Sequence, residues 1–378
     1  MTAVAVVFWV SVGLLVYAQA GYGLLLVALG RLGRARPGAG KPRPGRPEPL
    51  SVSVIVAAYA EETVIARRVA NLRELDYPVE RLELIVVCDG SPDATPVRAR
   101  QAGADLVLEL PRGGKIRAQD AGVRRARGEI VAFSDANALW APDALRRLVE
   151  PFADPRVGYV CGDVRFSGEG SNQEGVYWRY EMLLRRLESA LRSVTGGNGA
   201  IYATRRESYL EVDPIMGHDL SFPFNMVKRG WRAVYAPEAR ATEKMVPSIE
   251  GEFARKRRMM SHGWPIVMRG GMLSPRGYDP LYALMIFSHR ILRYATPFLH
   301  LLALGTSLAL LGRGWIYVAA VAAQLAVLVA AAAAPRLPAR PLLVARYYVL
   351  TTASLAAGLW DWLARGTEAG WEPAEGTR

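Results

Sequence analysis

The sequence predicts an α/β protein whose soluble middle part lies between apolar segments at the two ends of the chain. Three observations support this prediction. Continuous apolar runs alternate with segments of helical periodicity from residue 50 to residue 135, which indicates buried strands connected by helices. Charged side chains are absent from residues 3–30 and sparse after residue 294. Polar residues directly follow several of the apolar runs, at the strand ends where such sheets bind ligands.

The composition excludes several classes of protein. Of the 378 residues, 51% are hydrophobic and 22% are charged, so the chain is too apolar for a disordered or fibrous protein. It is long enough to bury a sizeable core without disulfide bonds. Its two cysteines, Cys88 and Cys161, exclude a disulfide framework and zinc sites of the CxxC type, and they fit a reducing compartment.

Residues 1–30 are predicted to form an N-terminal transmembrane helix. Residues 3–30 carry no charge, and about 20 apolar residues are enough to cross a bilayer. A cleaved signal peptide is the alternative. The apolar run is longer than the core of a signal peptide, however, and no basic residues precede it, so the anchor is the better interpretation.

Residues 31–49 are predicted to form a basic linker rich in proline and glycine. Six Arg and Lys side chains stand against the single acid Glu48, so this segment contributes five of the twelve net positive charges. Basic residues beside a transmembrane helix mark its cytoplasmic side and attract anionic headgroups. The net charge therefore indicates a membrane surface. Nucleic-acid binding ranks last, because no nucleic-acid-binding module is visible in the sequence.

The C-terminal residues 294–365 are predicted to cross the membrane two or three times, and we favour three. The runs 294–312 and 315–334 carry no Asp, Glu, Lys or Arg. The third candidate, 341–363, carries Arg346 and Asp361 near its ends, where charged groups reach the interface.

Two further segments flank these spans. Residues 280–293 mix apolar and basic side chains, which is typical of a helix lying in the membrane interface. Residues 366–378 form a short tail. The remaining residues, 50–279, are predicted to form one cytoplasmic domain.

The middle domain opens with buried strands separated by helices. Apolar runs without polar alternation are typical of parallel strands that are covered on both faces. The predicted strands are 50–58, 82–88, 104–110 and 129–134, and the predicted helices are 61–75 and 115–127.

Acids, amides and small residues follow these strands. They are Tyr59–Glu62, Asp89–Asp93 and Asp135–Asn137, and Gly113–Lys115 precedes a helix. Each alone is explained by a turn or helix cap, and Ser91 is more easily read that way. Four such segments at adjacent strand ends, in contrast, predict one shared crevice. No P-loop or GxGxxG sequence is present, which argues against those modes of phosphate binding.

At these residues the chain resembles the family 2 glycosyltransferases with a GT-A fold, above all the membrane-embedded bacterial members related to polysaccharide synthases and lipid glycosyltransferases. The resemblance covers about 50–270 and the arrangement of the membrane segments. The matching pieces, in order, are SVIVAAYAEE, VVCDGSPDAT, GGKIRAQDAG, FSDANALWAPDAL, GGNGAIYATRR and HDLSFPFNMVKRGWRAVYAPEARATE. Each is weak alone, and together they form a strong signal.

The resemblance implies a sugar-nucleotide donor, expected to be a UDP-sugar. It assigns the nucleotide to Ala58, Glu61, Asp89 and Lys115, with Asp135 also facing the donor.

The resemblance also implies a divalent cation, Mg²⁺ or Mn²⁺, at Asp135 and Asn137. Such a cation joins a carboxylate to a diphosphate and neutralises the charge that develops on the leaving group. Asn137 stands where the family has a second Asp, so one ligand is an amide.

The resemblance places the catalytic base at Asp219 and a tight turn near the donor sugar at Gly197 and Asn198. Inverting sugar transfer needs one base beside the acceptor hydroxyl. The alternative for Asp219 is an N-cap of the following helix, and for the glycine-rich turn it is a plain turn. His218 stands where the family has Glu, and Glu243 occupies a position where the family often has an acid.

The last motif lies at 255–264, where processive synthases carry QxxRW. Here Arg255, Arg258 and His262 share one helical face, and Arg258 is predicted to contact the donor diphosphate. A basic helix on anionic lipid is the alternative for this segment. Gln is absent and Trp264 is displaced, which favours one or a few additions over processive synthesis.

The predicted function is therefore a membrane-anchored inverting glycosyltransferase with a lipid-linked or polysaccharide acceptor. Its predicted location is the bacterial inner membrane, with the catalytic domain in the cytoplasm. Three alternatives remain: a processive polysaccharide synthase, a nucleotidyltransferase, and an inactive scaffold subunit of an envelope-assembly complex. The nucleotidyltransferase lacks support because Tyr59–Thr63 contains no glycine, and intact Asp89, Asp135 and Asp219 argue against the scaffold.

Overall fold

The structure is a computed structural model that describes residues 2–34, 49–167, 172–244 and 248–369. Its strands are β1 Val52–Ala58, β2 Leu82–Asp89, β3 Leu106–Leu110, β4 Ile130–Asp135, β5 Leu139–Trp140, β6 Val157–Ser167, β7 Tyr202–Arg205 and β8 Arg232–Lys244. Its helices are α1 Thr2–Val16, α2 Tyr22–Leu29, α3 Ile65–Arg73, α4 Thr95–Gln101, α5 Lys115–Arg125, α6 Ala144–Val149, α7 Asn172–Leu191, α8 His218–Lys228, α9 Ile249–Met268, α10 Pro280–Met285, α11 Leu292–Ala309, α12 Trp315–Ala333 and α13 Arg340–Arg365.

The eight strands form one mixed sheet in the order β3-β2-β1-β4-β7-β6-β8-β5. Strands β3, β2, β1 and β4 are parallel to one another. Strand β7 lies between β4 and β6 and is antiparallel to both. Strand β8 returns parallel to β6. The four strands predicted from the sequence are β1 to β4, within two residues at each end. The predicted α/β class with a mainly parallel sheet is confirmed.

The sheet is covered on both faces, which explains why its strands read as unbroken apolar runs. Every residue of β1 is buried. On one face, Ile65, Val69 and Leu72 of α3 pack against Val54 and Val56. The opposite face of the sheet packs against α5 and α8. Because side chains alternate along a strand, neighbouring residues of β1 serve different cores.

A third core joins the domain to the helices at the ends of the chain. It contains residues of α2, α7, α9 and α10. Tyr22 of α2 and Tyr282 of α10 are almost fully buried in it. The α/β domain is therefore packed directly on the helices beside the apolar terminal segments.

Three helices are long and apolar enough to cross a membrane: Thr2–Leu32, Trp315–Ala333 and Arg340–Arg365. The N-terminal helix runs from α1 through α2 and a last turn at Gly30–Arg34, so the predicted linker is still helical at its start. Linker residues 35–48 lie outside the described residues.

The predicted interfacial helix at 280–293 is not a separate element. Helix α10 continues through Ile286–Ile291 into α11 without a break, because every joining residue keeps helical dihedrals. Several of its side chains are buried against the α/β domain, including His289.

Helix α13 lies along α9 instead of standing apart from the domain. The Trp264 indole donates to the carbonyl of Leu355 (2.8 Å), and Arg257 forms two 2.6 Å bonds to Asp361. Near the start of α13, Arg346 pairs with Glu250 in the first turn of α9. Gly358 permits the close approach, since a Cβ there would lie 2.5 Å from the Cβ of Met260. Both ends of α13 therefore contact the catalytic domain.

Candidate active site

The strand ends meet at one edge of the sheet. Ala58 of β1 is in register with Cys88 of β2, and Ala57 is in register with Asp135 of β4. Parallel strands put their carboxyl ends on the same edge, so Asp89 and Asp135 flank the loop that follows β1. The predicted residues Ala58, Asp89, Lys115 and Asp135 are brought together there.

Asp89 holds the loop before α5. Its carboxylate accepts hydrogen bonds from the N–H groups of Gly113 (2.7 Å) and Gly114 (2.9 Å), and Arg112 lies 3.4 Å away. Gly114 has φ +97°, a left-handed conformation that favours glycine. Asp89 thus fixes the backbone that positions Lys115.

The loop after β1 is held from the neighbouring strand. Ala60 has φ +50°, and its N–H donates to the Ser91 hydroxyl (3.2 Å). The N–H of Glu61 donates to the Thr95 hydroxyl (2.8 Å). Glu61 is itself buried, 7% exposed. The donor role predicted for Ala58 and Glu61 stays a prediction, and these bonds show how their loop is shaped.

Arg112 is a residue that the sequence analysis did not select. The central carbon of its guanidinium lies 3.2 Å from the centroid of the Tyr59 ring, a stacked cation–π arrangement. No motif marks this pair, because the two residues are separated in sequence and come together only through the sheet.

Lys115 and Asp135 form an ion pair in the centre of the crevice. Burial would lower the pKa of Lys115, but the charges of Asp135, Asp219 and Glu243 outweigh it and raise that pKa. Burial and the charge of Asp135 raise the pKa of Glu243 to about 7. Glu243 therefore belongs to the same cluster. The crevice gathers three acids around one lysine.

Asp219 lies in the first turn of α8, on the other side of this cluster. The helix is preceded by Gly217, so Asp219 is not its N-cap, and the structural alternative fails. Asp219 is partly exposed, and its predicted role as the base stays a prediction.

The turn at 196–199 connects the two sides of the crevice. The N–H of Gly197 donates to the backbone carbonyl of Asp219 (2.6 Å). A Cβ at Gly199 would lie 3.2 Å from the Lys115 ammonium and 3.4 Å from the Asp135 carboxylate. Asn198 donates to Gly162 O (2.8 Å) and accepts from the Ile201 N–H (2.9 Å). Its amide thereby shapes the turn, while its predicted contact with the donor stays a prediction.

Comparison with known proteins identifies the domain. Residues 53–212 match the sequence profile of Glycosyl transferase family 2. The chain carries a family 2 glycosyltransferase domain.

Two curated relatives match this domain. Beta-monoglucosyldiacylglycerol synthase of Synechocystis is 35% identical over 161 residues, which is 40% of this chain and 33% of that protein. Poly-beta-1,6-N-acetyl-D-glucosamine synthase of Staphylococcus aureus is 23% identical over 248 residues, 62% of this chain and 60% of that protein. The chain therefore spans between a third and three fifths of the length of these relatives.

One solved structure matches nearly the whole chain. The mannosyltransferase PcManGT from Pyrobaculum calidifontis, determined in complex with GDP-Man and Mn²⁺, has a TM-score of 0.74 and 26% identity. The match covers 95% of this chain and 99% of that one. The predicted GT-A fold and its combination with terminal apolar helices are confirmed by this likeness.

His218 is buried beside Asp219. It is 3% exposed, stacks on Phe222 with ring centroids 3.9 Å apart, and its Nδ1 lies 2.8 Å from the Tyr202 hydroxyl. Burial, with the charge of Lys115, holds the pKa of His218 well below its usual range. His218 is therefore a neutral imidazole packed between Tyr202 and Phe222.

The residues of α9 that were predicted to share a phosphate-binding face have different partners in the structure. Arg255 forms two 2.7 Å bonds with Glu252. The Nδ1–H of His262 donates to the carbonyl of Ile215 (3.0 Å), which braces the loop before α8. Arg258 is exposed on this helix. Its contact with the donor diphosphate stays a prediction.

The C-terminal segment reaches the donor loop. The Thr367 hydroxyl donates to Ser261 O of α9 (2.8 Å). Any Cβ at Gly114 would collide with Ala369. The end of the described chain therefore lies beside the loop that Asp89 organises. Sequence analysis gave no signal for this contact.

The acid cluster fits a cation that is shared with a bound diphosphate. Within residues 2–34, 49–167, 172–244 and 248–369, no three His, Cys, Asp or Glu side chains form a complete metal site. Asp135 faces the crevice, and Glu243 has its pKa raised partly by the charge of Asp135, so added positive charge is favourable here. A cation bound to one carboxylate and to substrate phosphates matches this arrangement.

Proposed function

We propose that this chain is an inverting glycosyltransferase that moves a sugar from a nucleoside-diphospho-sugar to a lipid-linked or polysaccharide acceptor at the membrane. One observation carries the proposal. Lys115 and Asp135 form an ion pair against Gly199 at the carboxyl ends of the parallel strands, and the same turn is bonded through Gly197 to Asp219, whose charge acts on Lys115. The comparisons supply support, since the related proteins are named as sugar-transferring enzymes.

The proposed reaction is a direct displacement. The carboxylate of Asp219 takes the proton from an acceptor hydroxyl, and the acceptor oxygen forms a bond to the anomeric carbon of the sugar. The bond from that carbon to the diphosphate breaks, and the nucleoside diphosphate leaves with the electron pair. One base is sufficient, because the leaving group is already a stable anion.

Lys115 acts on the leaving group. Its ammonium is held at the start of α5 by the Asp89-bound loop, and it is the cation at the centre of the acid cluster. Preorganised positive charge stabilises a departing diphosphate without further reorganisation. A divalent cation, Mg²⁺ or Mn²⁺, would be held by Asp135 with Asn137 beside it, and would supply additional charge neutralisation.

The proposed topology places the active site on the cytoplasmic face of the bacterial inner membrane. Phe8 of α1 and Tyr317 of α12 contact each other, with ring centroids 5.0 Å apart, so the starts of these helices lie on one side. The end of α12 lies near the start of α13, where Arg346 bonds to Ala331 O (3.2 Å). Helices α1, α11 and α12 would then cross the membrane, with the basic residues 31–46 in the cytoplasm.

Helix α13 is the exception in this arrangement. Both of its ends contact the catalytic domain, through Arg346 to Glu250 and through Thr367 to Ser261. A helix that crossed the membrane would place its ends on opposite sides. We therefore propose that α13 lies with α9 in the membrane interface, in spite of its apolar composition.

The acceptor is proposed to come from the membrane. Helix α9 joins the two regions: its His262 donates to Ile215 in the loop before Asp219, and a Cβ at its Gly263 would collide with the hydroxyl of Tyr294 in α11. The base thus lies where the interfacial helix meets a membrane helix. Without the QxxRW pattern, one or a few additions are favoured over a processive polymer.

A panel of UDP- and GDP-sugars tests the proposal. The detergent-purified chain is supplied with each donor, Mg²⁺ or Mn²⁺ and a membrane lipid extract, and released nucleoside diphosphate and glycosylated product are measured. Transfer from at least one donor is expected, with Asp219→Asn as the inactive control. Chromatography with excess donor separates short products from an early high-molecular-weight polymer, which would show processive synthesis. Absence of both hydrolysis and transfer with every donor would favour the scaffold alternative.

A further inference from the structure

A buried ionic cluster lies where the glycosyltransferase domain meets the helices beside the membrane. We call it the junction cluster, and the proposed mechanism does not use it. Its members are Tyr22 of α2, Glu181 and Glu188 of α7, Thr195, His289, Arg290 and Arg293. They come from four separate segments of the chain.

Glu188 is the hub of the junction cluster and is fully buried. One carboxylate oxygen accepts from the Tyr22 hydroxyl and lies 2.6 Å from Nδ1 of His289. The other accepts from both the N–H and the hydroxyl of Thr195, each at 3.0 Å. Burial would raise the pKa of Glu188, but His289 and Arg290 outweigh it and hold that pKa below its usual range.

The junction cluster contains a second carboxylate, that of Glu181. Glu181 is 3.2 Å from Nε2 of His289 and pairs with Arg293. Burying such groups is expensive, and an apolar replacement is often as stable. A cluster with this many directed bonds fixes the relative positions of the segments that supply them.

The cluster reaches the catalytic turn through Arg290. Its Nε donates to the Thr195 hydroxyl (2.9 Å). Its guanidinium lies against Gly196, where a Cβ would lie 2.7 Å from the Arg290 Cζ and closer still to one nitrogen. The Arg290 guanidinium can therefore come this close only because residue 196 has no side chain.

The next residues of the turn carry the connection to the crevice. The carbonyl of Gly197 accepts from Arg185 (2.9 Å), and its N–H donates to Asp219 O (2.6 Å). Gly199 then lies against Lys115 and Asp135. The position of this turn thus sets the separation between the base and the leaving-group side.

We propose that Arg290 and Thr195 are positioning residues, which hold the turn at 195–199 and thereby align Asp219 with Lys115 and Asp135. The inference rests on the proposed glycosyltransferase activity. It adds that two helices beside the membrane help to set the geometry of the active site. They are the helix that carries Arg290 and the N-terminal helix that carries Tyr22. Displacing a reacting group by about 1 Å can lower a rate by about 10²-fold.

The test uses Arg290→Met and Thr195→Val, alone and combined, in the full chain. Each variant keeps the approximate size of the side chain and removes the bond between the two residues. We expect kcat to fall by about tenfold or more in each single variant, with the donor KM within about twofold, as expected for lost alignment. The double variant should lose much less than the product of the two single losses, because both changes break the bond between Arg290 and Thr195.

Arg257→Met is the matched control. It removes an ion pair of comparable geometry, to Asp361, that joins α9 to α13 but does not reach the turn. Its kcat should stay within about twofold of the unmodified chain, since distant sites act independently. Arg290→Lys, which keeps the charge but cannot form the same side-on bond to Thr195, should fall between the two.

The outcomes separate the two proposals. If the unmodified chain transfers no sugar, the proposed function fails. If it does, and the variants lose donor affinity instead of kcat, or lose activity additively, or differ from the Arg257→Met control only in thermal stability, the positioning inference is overturned and the proposed function stands. Loss of folded protein in both Arg290→Met and Arg290→Lys would likewise overturn it, since the cluster would then serve stability alone.

Discussion

The Lys115 ammonium contacts the Asp135 carboxylate across the crevice, so the proposed leaving-group cation and the proposed metal ligand neutralise one another. The pair joins the first residue of α5 to the last residue of β4, so the whole helix and the whole strand lie between them in the sequence. A diphosphate with its cation brings both a partner for Lys115 and a partner for Asp135. In the proposed mechanism, donor binding would replace this internal ion pair with two external ones, so donor affinity should depend on the cation.

Replacement of Asp135 tests this dependence. Asp135→Ala should abolish transfer and remove the increase in donor affinity that Mg²⁺ or Mn²⁺ gives, because the variant lacks the carboxylate proposed to bind the cation. Asp135 is partly exposed, so its loss should leave the fold intact. Donor binding by calorimetry, with and without divalent cation, provides the measurement. Full turnover of the unmodified chain in excess EDTA would contradict a metal-dependent reaction.

Replacement of Asp219 tests the base. Asp219→Asn keeps the shape of the side chain but cannot accept the acceptor proton, so kcat should fall by about 10²-fold or more. Donor affinity should change little. Asp213→Asn is the matched control, since Asp213 is an exposed acid of the preceding loop that accepts from the Ile215 N–H (3.1 Å). Normal turnover at saturating donor, combined with weak donor binding, would place Asp219 in the nucleotide pocket instead.

Asp120 gives a prediction for stability as a function of pH. It is 6% exposed and accepts a 2.6 Å hydrogen bond from the Tyr209 hydroxyl. Burial raises the pKa of Asp120 from 3.8 to about 6 in the folded chain. The folded state therefore binds a proton more tightly than the unfolded state. Stability from this group is present below the unfolded pKa and is lost as the pH rises through about 6.

Asp120→Asn should remove that loss. An amide accepts the same hydrogen bond without a buried charge, so the variant should be more stable than the unmodified chain at pH 8, by an amount on the order of 2–3 kcal/mol. The difference should shrink as the pH falls toward 4. Thermal unfolding midpoints in detergent across this range give the measurement, with the exposed Asp213→Asn as control. An equal advantage at every pH would argue against a titrating carboxyl.

The sequence predicted the sheet and the strand-end residues well for a physical reason. Buried parallel strands must be apolar throughout, so their ends stand out, and Asp89 and Asp135 fall directly at those ends. Residues of neighbouring parallel strands then have to meet. Local pattern and three-dimensional position carry the same information here.

Other parts of the site depend on contacts that no local pattern records. Glu188 and His289 are 101 residues apart, and each reads alone as an ordinary charged or polar helix residue. The environment of His218 depends on Tyr202 and Phe222 from two other elements. Packing likewise decides that Arg255 pairs with Glu252. It also decides that His262 donates to the carbonyl of Ile215. Helical spacing placed these side chains on one face but did not supply their partners.

The placement of α13 gives the last prediction, and it distinguishes an interfacial helix from a third C-terminal span. Both native cysteines, Cys88 and Cys161, are buried, so an introduced cysteine can be labelled with little background.

Glu368→Cys lies just after α13, and Gly312→Cys lies in the connection between α11 and α12. In sealed inner-membrane vesicles of known orientation, a membrane-impermeant maleimide should label Cys at 368 only from the cytoplasmic side and Cys at 312 only from the opposite side. The reason is that in the proposed topology α11 crosses once between the domain and residue 312, whereas the two ends of α13 contact α9. If α13 crossed the membrane, position 368 would be labelled together with position 312, and the contact between Ala369 and Gly114 at the donor loop would be impossible.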